Sequence, residues 1–372
     1  MTIDRDLPGR VGREPGPVAR AEDAAGAALG RPRARPRRPP RRGSGWVAWL
    51  DGLNLAAMVL VLAGTRLVGE RWWATTLLVF APRPFYLYAL APLGGLVVWS
   101  RRWRLVPALA ATGVLVAGPI MGLAVPWRRW LGPPPDGPGL RILTLNRGAG
   151  RLDHEALNRL IARESIDVLC FQEVGRPGFA EQVAPGFFWN IDQRIASRYP
   201  IVREDRPEID RCPAAADLGS RRPVVTIRLP GGPLVRVAEI DMPSMIEPVS
   251  ALRSGRLRPD LLREATACRR QYAQDVADAL SRVRGPMLLA GDFNSPPDSD
   301  IVAPFRERYH DAFAQAGFGY GYSWSRAHPF LRLDRVLGTA HWTFTRCEVG
   351  PDVGSDHLPV WAEAVLSEGP DD

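Results

Sequence analysis

From Leu105 to Pro126 the chain runs for 22 residues without a charged side chain. A helix of about 20 mainly apolar residues is long enough to cross a bilayer. Such a run is either a membrane span or a helix buried in a large soluble bundle. Two weaker apolar stretches precede it. Trp46 to Gly64 contains Asp51 and Asn54, and Trp72 to Trp99 is interrupted by Pro82-Arg83-Pro84, with Phe85 to Trp99 as its core. Eight of the twelve Trp lie in residues 46–130, mostly near segment ends, where interfacial anchors sit. Length, Trp placement and Arg flanks together favour a membrane region of about three transmembrane helices over a soluble bundle.

Charge divides the chain in the same place. Residues 1–45 carry 11 Arg against 5 acids and residues 46–130 carry 8 against 2, so residues 131–372 are left at −4 although the whole chain is +8. Residues 1–45 are rich in Pro, Gly, Ala and Arg without apolar periodicity, which predicts a disordered arm. No cleavable signal peptide is evident, because the apolar stretch starts too late. The arm and the loop Arg101-Arg102-Trp103-Arg104 fall on one side if all three stretches cross. Arg-rich flanks mark the cytoplasmic side, so residues 131–372 are expected on the outer face of the cell membrane. Their negative balance lacks the net basic footprint of a nucleic-acid binder.

Leu131-Gly132-Pro133-Pro134-Pro135-Asp136-Gly137-Pro138 reads as a stiff linker. Leu140 to Asn146 then alternates as a strand. Asp153 can cap a helix carrying Ala156, Leu157, Leu160 and Ile161, and the buried run Ile166 to Phe171 delivers Gln172-Glu173. Strand, helix, strand and an acid at the strand end is an α/β pattern with a functional rim. Further strands are expected near Phe187–Ile191, Pro200–Arg203, Pro223–Leu229, Leu234–Asp241 and Arg332–Leu337. Residues 242–260 read as a loop with Arg253, Arg256 and Arg258, followed by a helix from about Leu261 to Val283.

Pro286-Met287-Leu288-Leu289-Ala290-Gly291-Asp292-Phe293-Asn294 is the most informative strand. In extended backbone residues i and i+2 share a side, so Asp292 and Asn294 converge. A carboxylate beside an amide suits a hard cation and a phosphate; the alternative is an ordinary turn. Among the five His, His357 in Gly354-Ser355-Asp356-His357 stands out. A His base needs a partner that fixes its tautomer, and sequence adjacency does not show that Asp356 is that partner. His154, His310, His328 and His341 read as structural.

Six pieces in order, Leu143-Thr144-Leu145-Asn146, Phe171-Gln172-Glu173-Val174, Ser197-Arg198-Tyr199-Pro200-Ile201, Gly291-Asp292-Phe293-Asn294, Arg332-Leu333-Asp334 and Ser355-Asp356-His357, resemble the endonuclease/exonuclease/phosphatase family over about residues 139–366. The resemblance implies a four-layer α/β sandwich, two mixed sheets face to face with helices outside. It implies a Mg²⁺ or Mn²⁺ site at one rim, with Glu173 as the main ligand and Asn146 beside it. Asp292 would activate the attacking water, Asn294 would hold a phosphate oxygen, and His357 would be a base or phosphate contact. Asp334 or Asp356 would support a His or the metal. At the position where the family usually places a His, this chain has Asp241. A carboxylate there repels phosphate unless it is protonated or bound to a cation.

The reading that follows is a membrane-anchored, metal-dependent phosphoesterase. Its substrate would be nucleic acid, a phospholipid headgroup or a small phosphorylated compound, with no obligate protein partner evident. The alternative is a catalytically weak or inactive family member serving as a membrane-bound binding or scaffold protein, supported only by Asp241. The four Cys match no zinc spacing. Cys170 reads as core, and a Cys212–Cys268 bridge is conceivable.

Overall fold

Side chains alternate in direction along a strand, and that alternation organises the chain after the linker. The computed structural model describes residues 45–148, 151–174, 178–192, 194–207, 223–245, 249 and 258–367. The Arg- and Pro-rich arm up to residue 44, Arg253 and Arg256, Cys212 and the last five residues lie outside the described residues.

The apolar region is built mainly on α1 (Gly45–Ala63), α2 (Trp73–Val79), α3 (Leu90–Trp99) and α4 (Val106–Leu115), with shorter helical turns between them and Trp127–Leu131 after them. After them come β1 (Gly139–Asn146), α5 (His154–Arg163), β2 (Val168–Gln172), β3 (Phe188–Trp189), β4 (Ile195–Ser197), β5 (Ile201–Asp205), β6 (Val224–Arg228), β7 (Leu234–Asp241), α6 (Pro259–Ser281), β8 (Met287–Asp292), β9 (His310–Asp311), β10 (Asp334–Gly338), β11 (Trp342–Val349) and β12 (Val360–Leu366), with short helices at Phe179–Gln182, Ala303–Arg306 and Ala312–Ala316. Two six-stranded sheets result, in the orders β11-β12-β1-β2-β4-β3 and β5-β6-β7-β8-β10-β9. Each is mixed: β1–β2 and β7–β8 are parallel, and the other pairs are antiparallel.

One set of alternating residues fills the gap between the sheets. Leu140 and Ile142 of β1 and Val168 and Cys170 of β2 share a buried cluster with Val235 and Val237 of β7 and Leu288 and Ala290 of β8. The opposite set faces outward under helices. Leu143, Leu145, Leu169 and Phe171 pack with Leu157, Leu160 and Ile161 of α5. Ile240, Met287 and Leu289 pack with Tyr272, Val276 and Leu280 of α6. Each such large apolar side chain contributes about 1.5–3 kcal/mol on burial. Asp153 caps α5 as expected, its Oδ1 accepting the Ala156 N–H at 2.9 Å. The four-layer sandwich read from the sequence is therefore the observed fold. β4, β9, β11 and β12 are not among the expected strands. The expected strand near Phe187–Ile191 shrinks to two residues, because it pairs only with the short β4.

In the apolar region two helical stretches, Gly45–Arg71 and Trp103–Ile120, are long and apolar enough to cross a membrane. The third expected stretch is a bent pair, Trp73–Val79 and Arg83–Trp99, at 89°. Pro82 and Pro84 explain the break, since proline removes a donor and restricts the preceding residue. Beyond the bend α3 and α4 run antiparallel, with Gly94 against Leu109 and Gly113 against Leu90.

The bundle and the sandwich belong to one compact unit, Trp46–Asp372. Met58, Val61, Leu62, Tyr86 and Leu87 meet Val116, Ile120 and Met121 beside Tyr320 of the sandwich. Trp73, Leu77 and Phe80 pack on Met245, Leu262 and Ala265.

Candidate active site at one rim of the sandwich

The candidate residues share a parity. Asn146 follows Leu140 and Ile142 by even steps, Asp292 follows Leu288 and Ala290, Asp241 follows Val235 and Val237, and Asp334 precedes Val336. The alternation that buries these apolar residues between the sheets therefore aims the polar ones into the same gap, at its rim. Register then sets them side by side: Asp241 stands opposite Asp292 on β7–β8, and Asp292 opposite Asp334 on β8–β10. Gly291 permits this approach, since a Cβ there would lie 1.8 Å from the Ile240 carbonyl oxygen.

Three buried aspartates in adjacent strands repel one another unless compensated. His357 compensates two of them. Its Nδ1 donates to Asp334 Oδ2 at 2.8 Å, and its Nε2 lies 3.8 Å from Asp292 Oδ2. Burial by itself would lower the His357 pKa; the charges of Asp334 and Asp292 override it and lift the pKa to about 10. Burial, and then the charge of Asp334, push Asp292 up to about 6. The partner of His357 is thus Asp334. The Asp356 carboxylate lies against Gly148, where a Cβ would sit 1.6 Å from its Oδ1.

Asn146 joins the remaining acids. Its Nδ2 donates to Asp292 Oδ2 at 3.0 Å and to Glu173 Oε1 at 3.1 Å, while its Oδ1 accepts the Gly148 N–H at 2.8 Å. That backbone donor fixes which end of the amide faces the carboxylates. Glu173 is exposed at the mouth. Asn294 donates its N–H to Asp292 Oδ1 at 2.8 Å and its Nδ2 to the Met242 carbonyl at 2.8 Å. Glu173 and Asn294 both adopt left-handed backbone, φ 55° and 46°. That conformation costs a non-glycine residue about 1–2 kcal/mol and clusters at functional sites.

Asp241 meets a residue that sequence reasoning missed. Arg194 reaches across from the other sheet, its Nη1 3.5 Å from Glu239 Oε2 and 3.6 Å from Asp241 Oδ2. Its side chain is 21% exposed, against 0% and 4% for the two acids. Asn190 shapes its turn, the Oδ1 accepting the N–H groups of Arg194 and Ile195 at 2.9 and 2.8 Å. No local signal marks Arg194, because its partners lie far along the chain on another sheet. Ser355 was also missed, although it stands in a quoted stretch. Its hydroxyl donates to the Asn146 carbonyl at 2.7 Å and accepts the His357 N–H at 3.0 Å, tying β1 to the histidine.

Residues 143–357 match the Endonuclease/Exonuclease/phosphatase family, more than half of the chain. The chain belongs to that family. Solved structures similar to it include an endonuclease/exonuclease/phosphatase from Bacteroides vulgatus, 16% identical with a TM-score of 0.47 over 62% of this chain and 100% of that one. The mannosyl-6-phosphatase of Bacteroides thetaiotaomicron is 15% identical with a TM-score of 0.46 over 61% and 100%. Sphingomyelinase C of Streptomyces griseocarneus is 20% identical with a TM-score of 0.43 over 61% and 99%. No curated protein matches the chain. Of the residues expected from the family pattern, Asn146, Glu173, Asp292, Asn294, Asp334 and His357 converge at one rim. Asp241 stands beside them in an ion cluster of its own.

Proposed function

We propose that this chain is a membrane-anchored phosphoester hydrolase that works with Mg²⁺ or Mn²⁺. The observation that carries the reading is the convergence of Glu173, Asn146, Asp292, Asp334 and His357 between the sheets. The donor set fits a hard divalent cation at the Glu173 end, where the carboxylates of Glu173 and Asp292 flank one amide. Ligand atoms of Asp292, Asp334 and His357 also lie within 4.8 Å of one another. That end is the poorer fit, because His357 already binds Asp334 and carries positive charge. In this geometry Asn146 orients the two carboxylates rather than offering its own oxygen.

The cation, when bound, would supply Lewis-acid polarisation of a phosphoryl oxygen and charge stabilisation of the leaving oxygen. The chain's own residues do the rest. Asp292, with its pKa raised toward neutrality, accepts the proton of an attacking water. His357, held in its charged form by Asp334, donates its Nε2–H to a phosphoryl oxygen. Asn294 holds one such oxygen, and Arg194 screens Asp241 from the phosphate. The scaffold alternative rested on Asp241, and a guanidinium beside that carboxylate weakens it.

The purified full-length protein in detergent should hydrolyse a phosphoester only with added Mg²⁺ or Mn²⁺. Glu173→Gln should abolish the stimulation while leaving the melting temperature unchanged. Wild-type turnover of Glu173→Gln at limiting Mg²⁺ would sink the assignment. Candidate substrates are a nucleic acid, a phospholipid headgroup and a small phosphorylated compound, and membrane tethering favours the lipid.

If Gly45–Arg71, the bent pair and Trp103–Ile120 each cross, residues 131–372 lie opposite the Arg101–Arg104 turn. With the Arg-rich flank in the cytoplasm, the catalytic part is on the outer face. Protease added to intact cells should then remove it; cleavage only after lysis reverses the orientation.

A further inference from the structure

We propose that Glu70, at the end of the first apolar helix, is a positioning residue for the catalytic rim, acting through Arg269 of α6. The proposal rests on the phosphoesterase reading. Glu70 and Arg269 form an ion pair at 2.7 Å with both side chains 0% exposed. The Ser299 hydroxyl donates to the other oxygen of Glu70, and the Glu70 N–H donates to Asp300 Oδ1 at 3.1 Å. Arg269 turns this anchor toward the site. Its Nη2 donates to the Asn294 carbonyl at 2.7 Å and also meets the Ser295 hydroxyl. Its Nε donates to the Pro243 carbonyl at 3.1 Å. The face of Phe80, from the apolar region, covers the guanidinium at 5.2 Å to the ring centroid.

One guanidinium therefore ties the turn that follows Asp241 at the end of β7 to the turn that follows Asp292 at the end of β8 and carries Asn294. Asn294 is the residue held at φ 46°, and strained backbone persists only where its surroundings over-determine it. A buried guanidinium in turn holds its geometry only while its charge is paired. Glu70 supplies that pairing from outside the sandwich. A second link has the same direction: Arg83 pairs with Asp298 on the same loop at 2.8 Å. The apolar bundle is thus part of what completes the rim, beyond being an anchor.

The test uses full-length protein in phosphatidylcholine vesicles, comparing wild type, Glu70→Gln, Glu70→Asp and Arg71→Ala. Two readouts are taken: kcat and KM on a phosphoester, and amide hydrogen exchange of residues 292–300. Glu70→Gln should lower kcat about 10²-fold with KM and Mg²⁺ dependence little changed, because misplacement of about 1 Å has effects of that size. Exchange at 292–300 should rise in the same variant. Glu70→Asp, which keeps the charge, should recover part of both. Arg71, whose side chain is 72% exposed beside Asp300, serves as the control and should behave as wild type. Unchanged exchange at 292–300 overturns the proposal, as does unchanged kcat in a variant whose melting temperature alone has fallen. Should wild type hydrolyse no phosphoester, the functional reading fails by itself, and exchange still decides whether Glu70 orders the loop.

Discussion

The rim carries two acidic clusters of similar make-up and different compensation. Asp292 and Asp334 are balanced by His357, with Asn146 donating to Asp292 and Glu173. Asp241 and Glu239 are faced by Arg194. Asp292, lifted to about 6, changes protonation near neutral pH and an amide carries no charge, so the first cluster can take up a proton or a cation and release it. A guanidinium stays charged at any physiological pH, so the second cluster is fixed. On the proposed function, the difference separates the cluster that does chemistry from the one that holds the rim. It also accounts for an aspartate at a position where the family resemblance led us to expect a histidine: the positive charge at that end comes from Arg194.

The largest expected effect is on the first cluster. His357→Ala should lower kcat by about 10²–10⁴-fold, the range for a group that serves proton transfer or its charge. A loss under about tenfold would put His357 outside the chemistry and erase the distinction between the clusters. Asp334→Asn sharpens the same point through pH. Asp334 is the strongest of the charges lifting His357 to about 10, so its removal should move the alkaline limb of the pH–rate profile to lower pH. The sign for stability follows. A histidine whose folded pKa exceeds its ordinary 6.5 stabilises the fold fully below about 6.5 and loses that contribution as pH rises through about 10. The melting-temperature advantage of wild type over Asp334→Asn should shrink across that window.

The smallest effects belong to the second cluster. Arg194→Ala should lower stability by about 1–3 kcal/mol in denaturant titrations, since it withdraws a charged partner from buried acids. Its pH–rate profile should keep the wild-type shape. Asp241→His should be no faster than wild type, because it sets an imidazole against the guanidinium. An Asp241→His enzyme faster than wild type would show that the aspartate is a defect and that Arg194 is not its designed partner.

Much of this was legible in the chain. The 22 uncharged residues from Leu105 announced a helix of membrane length. Period-two alternation and short apolar runs marked the strands, Asn146, Glu173 and Asp292 stood out as polar residues closing them, and Asp334 as an acid embedded in one. These are local signals, set by backbone geometry within a few residues. What the sequence left open was every pairing. Asp334 rather than Asp356 became the partner of His357 because the facing sheets bring the start of β10 against the residues before β12, which sequence adjacency does not reveal. Arg194 reached Asp241 because the two sheets face each other, and Glu70 reached Arg269 because the helix that follows it, Trp73–Val79, docks on α6. Local periodicity determines which residues are buried and which face they share; sheet order, register and the docking of one layer on another decide which charges meet.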